Sequence, residues 1–209
     1  MERMVRHRTK SVNRDNRAMA DAQTTHRSRL LEGMAQAVSR KGYAETTIAD
    51  IVAEASVSRR TFYEHFSSKA ECLVALYEAA SHNALNVLRD AIDPAHGWKK
   101  QVESALRAYL GCMAASPVLV RTLFIEILHL GTQGLAARRR VNLELADFIR
   151  VTANAPGRGF EAPVSPQLAM AIVGGINELV LEYIEQDKVA KLGELVEPAR
   201  ELVHAVLGK

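Results

Sequence analysis

Apolar side chains return every three or four positions along most of this 209-residue chain, and strand-like alternation is nearly absent, so the pattern predicts an all-α protein. A first helix over 25–41 carries Leu30, Leu31, Met34, Ala35 and Val38 along one stripe, and Gly42-Tyr43 stops it. Thr46-Thr47 opens a second helix, with Asp50 three residues after Thr47 in the S/T-x-x-D/E spacing of a capping box. Ile48, Ile51 and Val52 form its buried face. Ala55-Ser56-Val57 reads as a tight turn with Val57 as its apolar plug, and Ser58 is placed to cap a short third helix through Phe66. Ser68-Lys69-Ala70-Glu71 then opens a long helix over roughly 69–91, which Asp93-Pro94 ends.

A second body of helices follows over roughly 97–115, 117–130, 132–153, 165–186 and 192–207. Pro117, the Gly131-Thr132 step and a loop from Asn154 to Val164 punctuate them. Pro166 falls in a first helical turn, where proline is tolerated. Pro198 lies inside the last expected helix and predicts either a kink or a later start.

The third helix carries the chemistry. Phe62 and Phe66, four apart, face the core and leave Arg59, Arg60, Thr61, Tyr63 and His65 outside. Two short helices joined by a tight turn read as a helix-turn-helix, whose second helix can enter a major groove while the first crosses the backbone. Arg59, Arg60 and Thr61 are the candidates for base edges. Arginine donates a bidentate pair to guanine, and threonine offers a hydroxyl and a methyl. Tyr63, His65 and Lys69 are the candidates for phosphates, with Thr25, Thr46 and Thr47 as further hydroxyl or helix-start contacts. Helix capping is the competing role for the threonines, and packing or capping for His65.

These elements together resemble the DNA-binding domain of the TetR/AcrR family of bacterial transcriptional repressors. The resemblance rests on Gly42-Tyr43, Thr46-Thr47-Ile48, Asp50-Ile51, Ala55-x-Val57-Ser58, Thr61-Phe62-Tyr63-x-His65-Phe66 and Ser68-Lys69-x-x-Cys72-Leu73, over roughly 24–75. Ser56 stands where the family usually has glycine, and Val52 where it usually has alanine. A non-glycine residue at positive φ costs about 1 kcal/mol, so the turn is expected to be slightly strained or reshaped.

The last two long helices show broad apolar faces, including Leu168, Ile172, Gly175, Ile176 and Leu179 on one and Leu195, Ala199, Leu202 and Val206 on the other. Gly174-Gly175 within a helix costs about 1 kcal/mol per glycine, which asks for a packing reason such as a closely approaching helix. The resemblance implies that these helices pair with their copies as a four-helix bundle in a homodimer; the alternative is that they pack only within their own chain. It also implies an apolar small-molecule effector in the helical body that releases a palindromic double-stranded DNA operator. Candidate lining residues are Trp98, Tyr109, Cys112, Met113, Phe124, Leu128, His129, Phe148, Met170 and Asn177. Control by abundance or by a protein partner, without an effector, is the rival arrangement.

Composition sharpens the picture without changing it. Hydrophobic residues make up 48% and charged residues 24%, as in ordinary globular proteins, but the charge is uneven. Residues 1–70 hold 13 Lys/Arg against 8 Asp/Glu and the remainder 14 against 16, so positive charge gathers at the DNA-reading end. Residues 1–23 are polar, basic and aperiodic, expected as a disordered arm that can reach phosphates. The expected division is therefore an arm over 1–23, a DNA-binding domain over 24–72 and an effector and dimerisation domain over 73–209.

Cys72 and Cys112 lie within apolar helical surroundings, as free thiols of a reducing cytoplasm do. No 18-residue apolar run or apolar signal core stands in the sequence, so no membrane partner is expected. Gly157 to Ala162 match G-x-G-x-x-A but follow no strand, and read as loop. Arg138-Arg139-Arg140 reads as a solvated face. No HExxH, CxxC pair, P-loop or G-x-S-x-G is present, so neither an enzyme, a metal site nor a cofactor is expected.

Overall fold

A computed structural model describes residues 2–156 and 163–207, with side chains from Thr24 onward. The backbone is helical through residues 2–23, where the sequence predicts an aperiodic arm, and the Gly157–Ala162 segment lies outside the described residues. Two compact units divide the chain between Leu76 and Tyr77, inside one long helix.

The first unit, the head, holds α1 (Glu2–Glu45), α2 (Ile48–Ala55), α3 (Arg59–His65) and the start of α4 (Lys69–Asp90). Gly42 breaks α1 with φ 76°, ψ 164°, a conformation that glycine reaches without a Cβ clash. Leu30, Met34 and Val38 of α1 close over Ile51 and Ala55 of α2, Phe62 and Phe66 of the third segment, and Cys72 and Leu73 of α4. Ile48 and Val52 are half-buried, so the inner face of α2 centres on Ile51 and Ala55 rather than on the expected trio. Burial pushes the Cys72 thiol up to about 12.

The second unit, the body, holds the remainder of α4 and then α5 (Trp98–Ala114), α6 (Pro117–Phe124), α7 (Thr132–Ala153), α8 (Pro166–Glu185) and α9 (Val196–Leu207). The helix expected over 117–130 is broken: α6 ends at Phe124 and a 3₁₀ turn, Glu126–Leu130, carries the chain to Gly131. Gly134 explains the tight return. A Cβ there would stand 1.9 Å from the Ile127 carbonyl oxygen. Another 3₁₀ segment, Val189–Leu195, precedes α9, whose later start at Val196 puts Pro198 into its first turn.

Leu110, Ile172, Val180, Leu192 and Ala199 anchor the body core where α5, α8, the Val189–Leu195 segment and α9 meet. By length and mean hydropathy α8 could cross a membrane, but its apolar side is a wall of this core: Ala169, Ile172, Val173, Val180 and Ile184 are all buried. Asn154 closes the base of the loop before α8, donating from Nδ2 to the Val164 carbonyl at 3.1 Å and accepting the Val164 N–H at 2.8 Å.

Candidate nucleic-acid interface

The turn between α2 and α3 is built as its sequence implies, strain included. Ser56 sits in the left-handed region (φ 50°, ψ 49°) and its N–H returns to the Ala53 and Val52 carbonyls. Arg29, twenty-seven residues earlier on α1, donates from Nη2 to the Ser56 carbonyl at 2.8 Å and holds the turn from outside. Gly33 lets the two helices touch: a Cβ there would lie 2.6 Å from the Ile51 oxygen and 2.9 Å from the Ala55 nitrogen. Neither residue is evident from the sequence pattern, because both act across the α1–α2 contact and not along a helix.

From that turn α3 projects with its two faces sharply distinguished. Ser58 caps it by accepting the Thr61 N–H at 3.0 Å, and its hydroxyl also pairs with Thr61 Oγ1 at 2.9 Å. Phe62 is fully buried and Phe66 nearly so. The opposite side presents Arg59 and Arg60 at the N-terminal end and Tyr63 beyond them, 59% exposed with its ring edge-on to Phe62. Arg60 Nε lies 3.1 Å from Glu64 Oε1, a pair so exposed that it holds the guanidinium only weakly and yields readily to another acceptor. Thr61 and His65 are half-buried at the flanks. Arg27 adds a cation that the sequence reading did not single out, with its guanidinium 5.3 Å from the centre of the Phe66 ring.

Several expected phosphate contacts have other work. Thr46 is 1% exposed and donates its hydroxyl to the Gly42 carbonyl at 2.7 Å, so it cannot reach DNA. Thr47 is the N-cap of α2 in a complete capping box: its hydroxyl accepts the Asp50 N–H, and its own N–H reaches Asp50 Oδ2 at 2.8 Å. Lys69 is the largest correction. Its ammonium donates to the carbonyls of Thr46 at 2.7 Å, Tyr43 at 2.8 Å and Ala44 at 3.2 Å, and lies 4.3 Å from the centre of the Tyr43 ring. Its three donors are thus committed to the end of α1. Thr25 remains on the exposed surface of α1.

Two carboxylates lock the same junctions. Lys41 at 2.7 Å, together with the Thr47 hydroxyl and N–H, holds the Asp50 carboxyl far below the ordinary carboxylate range. Glu71 accepts from the Ser67 hydroxyl and N–H, which lowers its pKa too, while its own N–H is capped by Ser68 at 3.2 Å. The expected box at the start of α4 is therefore shared between two serines.

The body contains two adjoining cavities. The wider, about 140 Å³, is bordered by Tyr77, Asn83, Tyr109, Cys112, Met113, Phe124, Arg138, Asn142 and Asn177 among others. The narrower, about 90 Å³, is bordered by Trp98, Gln101, Leu106, Phe148, Ile172 and neighbouring apolar side chains. Tyr109, Leu145 and Asn177 belong to both walls. Seven of the ten expected lining residues are therefore brought to these spaces. Leu128 and His129 are not: both are exposed on the 3₁₀ turn, His129 Nδ1 3.1 Å from Glu126. Met170 packs on the body core instead. Burial pushes the Tyr77 and Tyr109 hydroxyls up to about 12, so both are neutral donors at the cavity wall.

The expected dimer face is likewise redistributed. Ile172, Ile176, Leu195 and Ala199 are buried within their own chain and are unavailable to a partner. Gly175 has its close neighbour at home, since a Cβ would meet Leu202 Cδ2 at 2.7 Å. Gly174, by contrast, is exposed with open space beside it, and Leu168 is 38% exposed; Leu179, Leu202 and Val206 are half-buried.

Residues 30–76 match the family described as bacterial regulatory proteins, tetR family. Over 83 residues the chain is 35% identical to the HTH-type transcriptional regulator TtgR of Pseudomonas putida, a match spanning 37% of this chain and 39% of that protein. A longer alignment, 23% identical over 167 residues, covers 77% of this chain and 85% of the nucleoid occlusion factor SlmA of Aliivibrio fischeri. The whole fold is shared with a solved transcriptional regulator FadR from Bacillus subtilis in complex with stearoyl-CoA, with a TM-score of 0.70, 17% identity, and coverage of 86% of this chain and 97% of that one. The capped helix-turn-helix and the match across it lead to one conclusion: residues 30–76 form a TetR-family DNA-binding domain of the kind found in bacterial transcriptional regulators.

Proposed function

We propose that this protein is a homodimeric repressor that binds a palindromic operator and is released from it by a small molecule held in the helical body. The observation that carries the DNA-reading part is the outward row of α3. Arg59, Arg60 and Tyr63 are exposed on a helix whose other face, Phe62, is fully buried. Arg59, Arg60 and Thr61 take base edges. Tyr63, His65 and Thr25 take phosphates, joined by the N-terminal turn of α2 at Thr47. A two-fold pair of heads on a two-fold operator needs a homodimer, and the outer sides of α8 and α9 around Leu168, Gly174 and Leu179 supply its surface.

Two body cavities support the effector part, as does a fold relative crystallised with stearoyl-CoA. α4 contributes Tyr77, Ser81 and Asn83 to the wider cavity and Cys72 and Leu73 to the core of the head, which makes it the coupling element. A ligand acts by binding the DNA-incompetent arrangement more tightly than the competent one. As a regulator of genes the protein works in the cytoplasm, with double-stranded DNA as its partner.

The test is a titration against the DNA upstream of its own gene, with random duplex as competitor, at two salt concentrations. Palindrome-dependent binding of two protomers per site is the expected result. Affinity no better than for random duplex at that site and across a genome-wide selection overturns the operator assignment. A second reading is DNA binding without a small-molecule effector, under control by abundance or by a protein partner. That reading predicts that no small molecule weakens the DNA complex.

A further inference from the structure

The narrower cavity holds a feature that an ordinary apolar void lacks. Its border is mostly apolar, with Leu106, Phe148 and Ile172 among its walls, and into it comes Gln101 of α5. Gln101 is 3% exposed, and its amide is fixed by Nε2 donating to the His96 carbonyl at 2.5 Å. That bond sets the orientation of the amide, because the reverse assignment would turn an oxygen toward a carbonyl. The other end, Oε1, is buried with no hydrogen-bond partner. A buried acceptor left unmade is costly, and structures rarely keep one without a use. Gln101 lies on the first turns of α5, three residues from Trp98, which borders the same cavity and is the single tryptophan of the chain.

Resting on the effector reading above, we propose that the inner cavity selects an apolar ligand bearing a hydrogen-bond donor, an O–H or N–H group, which completes Gln101 Oε1. The apolar wall supplies affinity that depends on size, and the amide supplies discrimination. A site built to accept from a hydroxyl penalises the analogue that lacks it, since the acceptor then stays buried and unpaired. The cavity's size suits a short chain: engineered apolar cavities of about 150 Å³ hold a benzene ring, and this one is smaller.

The probes are 1-butanol and its isomer 1-methoxypropane, each with fewer non-hydrogen atoms than benzene, equal in composition and differing in the presence of a donor. Trp98 fluorescence of the purified full-length protein reports occupancy of this cavity directly. The alcohol is expected to bind at least about tenfold more tightly than the ether, a difference of about 1.4 kcal/mol. Gln101→Leu is expected to bring the two within about twofold while leaving the ether's affinity in place. Equal binding to the unaltered protein overturns the proposal without recourse to any variant, as does a preference that survives Gln101→Leu. If neither probe binds but other small molecules raise the melting temperature and release DNA, the donor-bearing ligand class is wrong and the effector reading stands. If no small molecule of a broad set does either, both fall.

Discussion

The head and the body are both helical, yet they are finished in different ways. In the head, polar groups at the helix junctions are answered one by one: Thr47 with Asp50, Ser58 with Thr61, Arg29 with the Ser56 carbonyl, Lys69 with three carbonyls. Its core is small, and these polar ties fix how α3 is offered. In the body the core is broad and apolar, but space and unmet polarity remain, as two cavities and the Gln101 Oε1 atom show. A reading surface needs one geometry, because a small displacement of an arginine costs a base contact. A sensing body needs an arrangement that a ligand can improve, since a fully satisfied core has nothing to gain from binding.

The sharpest way to break this contrast is to add a methyl where helices touch. Gly33→Ala pushes a Cβ against backbone in the head, so unfolding of the head should become easier by roughly 2–3 kcal/mol in urea titrations. Gly111→Ala in α5 meets nothing and should instead stabilise by about 0.5–1 kcal/mol. A neutral outcome at Gly33 would mean that the α1–α2 contact is looser than described.

Next in size is Lys69→Ala. Loss of three carbonyl contacts should lower stability by about 2 kcal/mol. The dependence of DNA affinity on salt should stay as it was, because no phosphate contact is lost. A flattened salt dependence with unchanged melting would restore Lys69 to the phosphates.

Arg60→Ala tests the opposite case, an exposed side chain with little structural duty. We expect operator affinity to fall by about 1–3 kcal/mol with specificity relaxed at one base position, and melting to stay within about a degree. Binding within twofold of the unaltered protein would remove Arg60 from the reading set.

Ser56→Gly should relieve the left-handed turn and stabilise the head by about 1 kcal/mol, measured by thermal melting. The smallest effect is acidic. Asp50 and Glu71 are held below their ordinary values, so their contribution is complete above the ordinary carboxylate range and is lost as pH falls through the lowered values. The head should therefore lose stability on acidification below that range, and Asp50→Asn should blunt the slope in a pH series of melting curves.

By itself the sequence determined whatever is decided over a few residues. The all-α class, the helix-turn-helix, the Thr47–Asp50 box and the Ser58 cap all rest on spacings of three or four residues, where partners are covalently kept within reach. Tertiary structure decided what those spacings leave open. A helical period says that Ile172, Ile176 and Ala199 share an apolar face, but not whether a second chain or their own core covers it; packing gave them to the core. Likewise Lys69 at a helix start promises an anion site, until folding brings the end of α1, with three carbonyls 23 to 26 residues away, under its ammonium. Charge type is written in the chain. Which partner satisfies it depends on what the fold sets within about 3 Å.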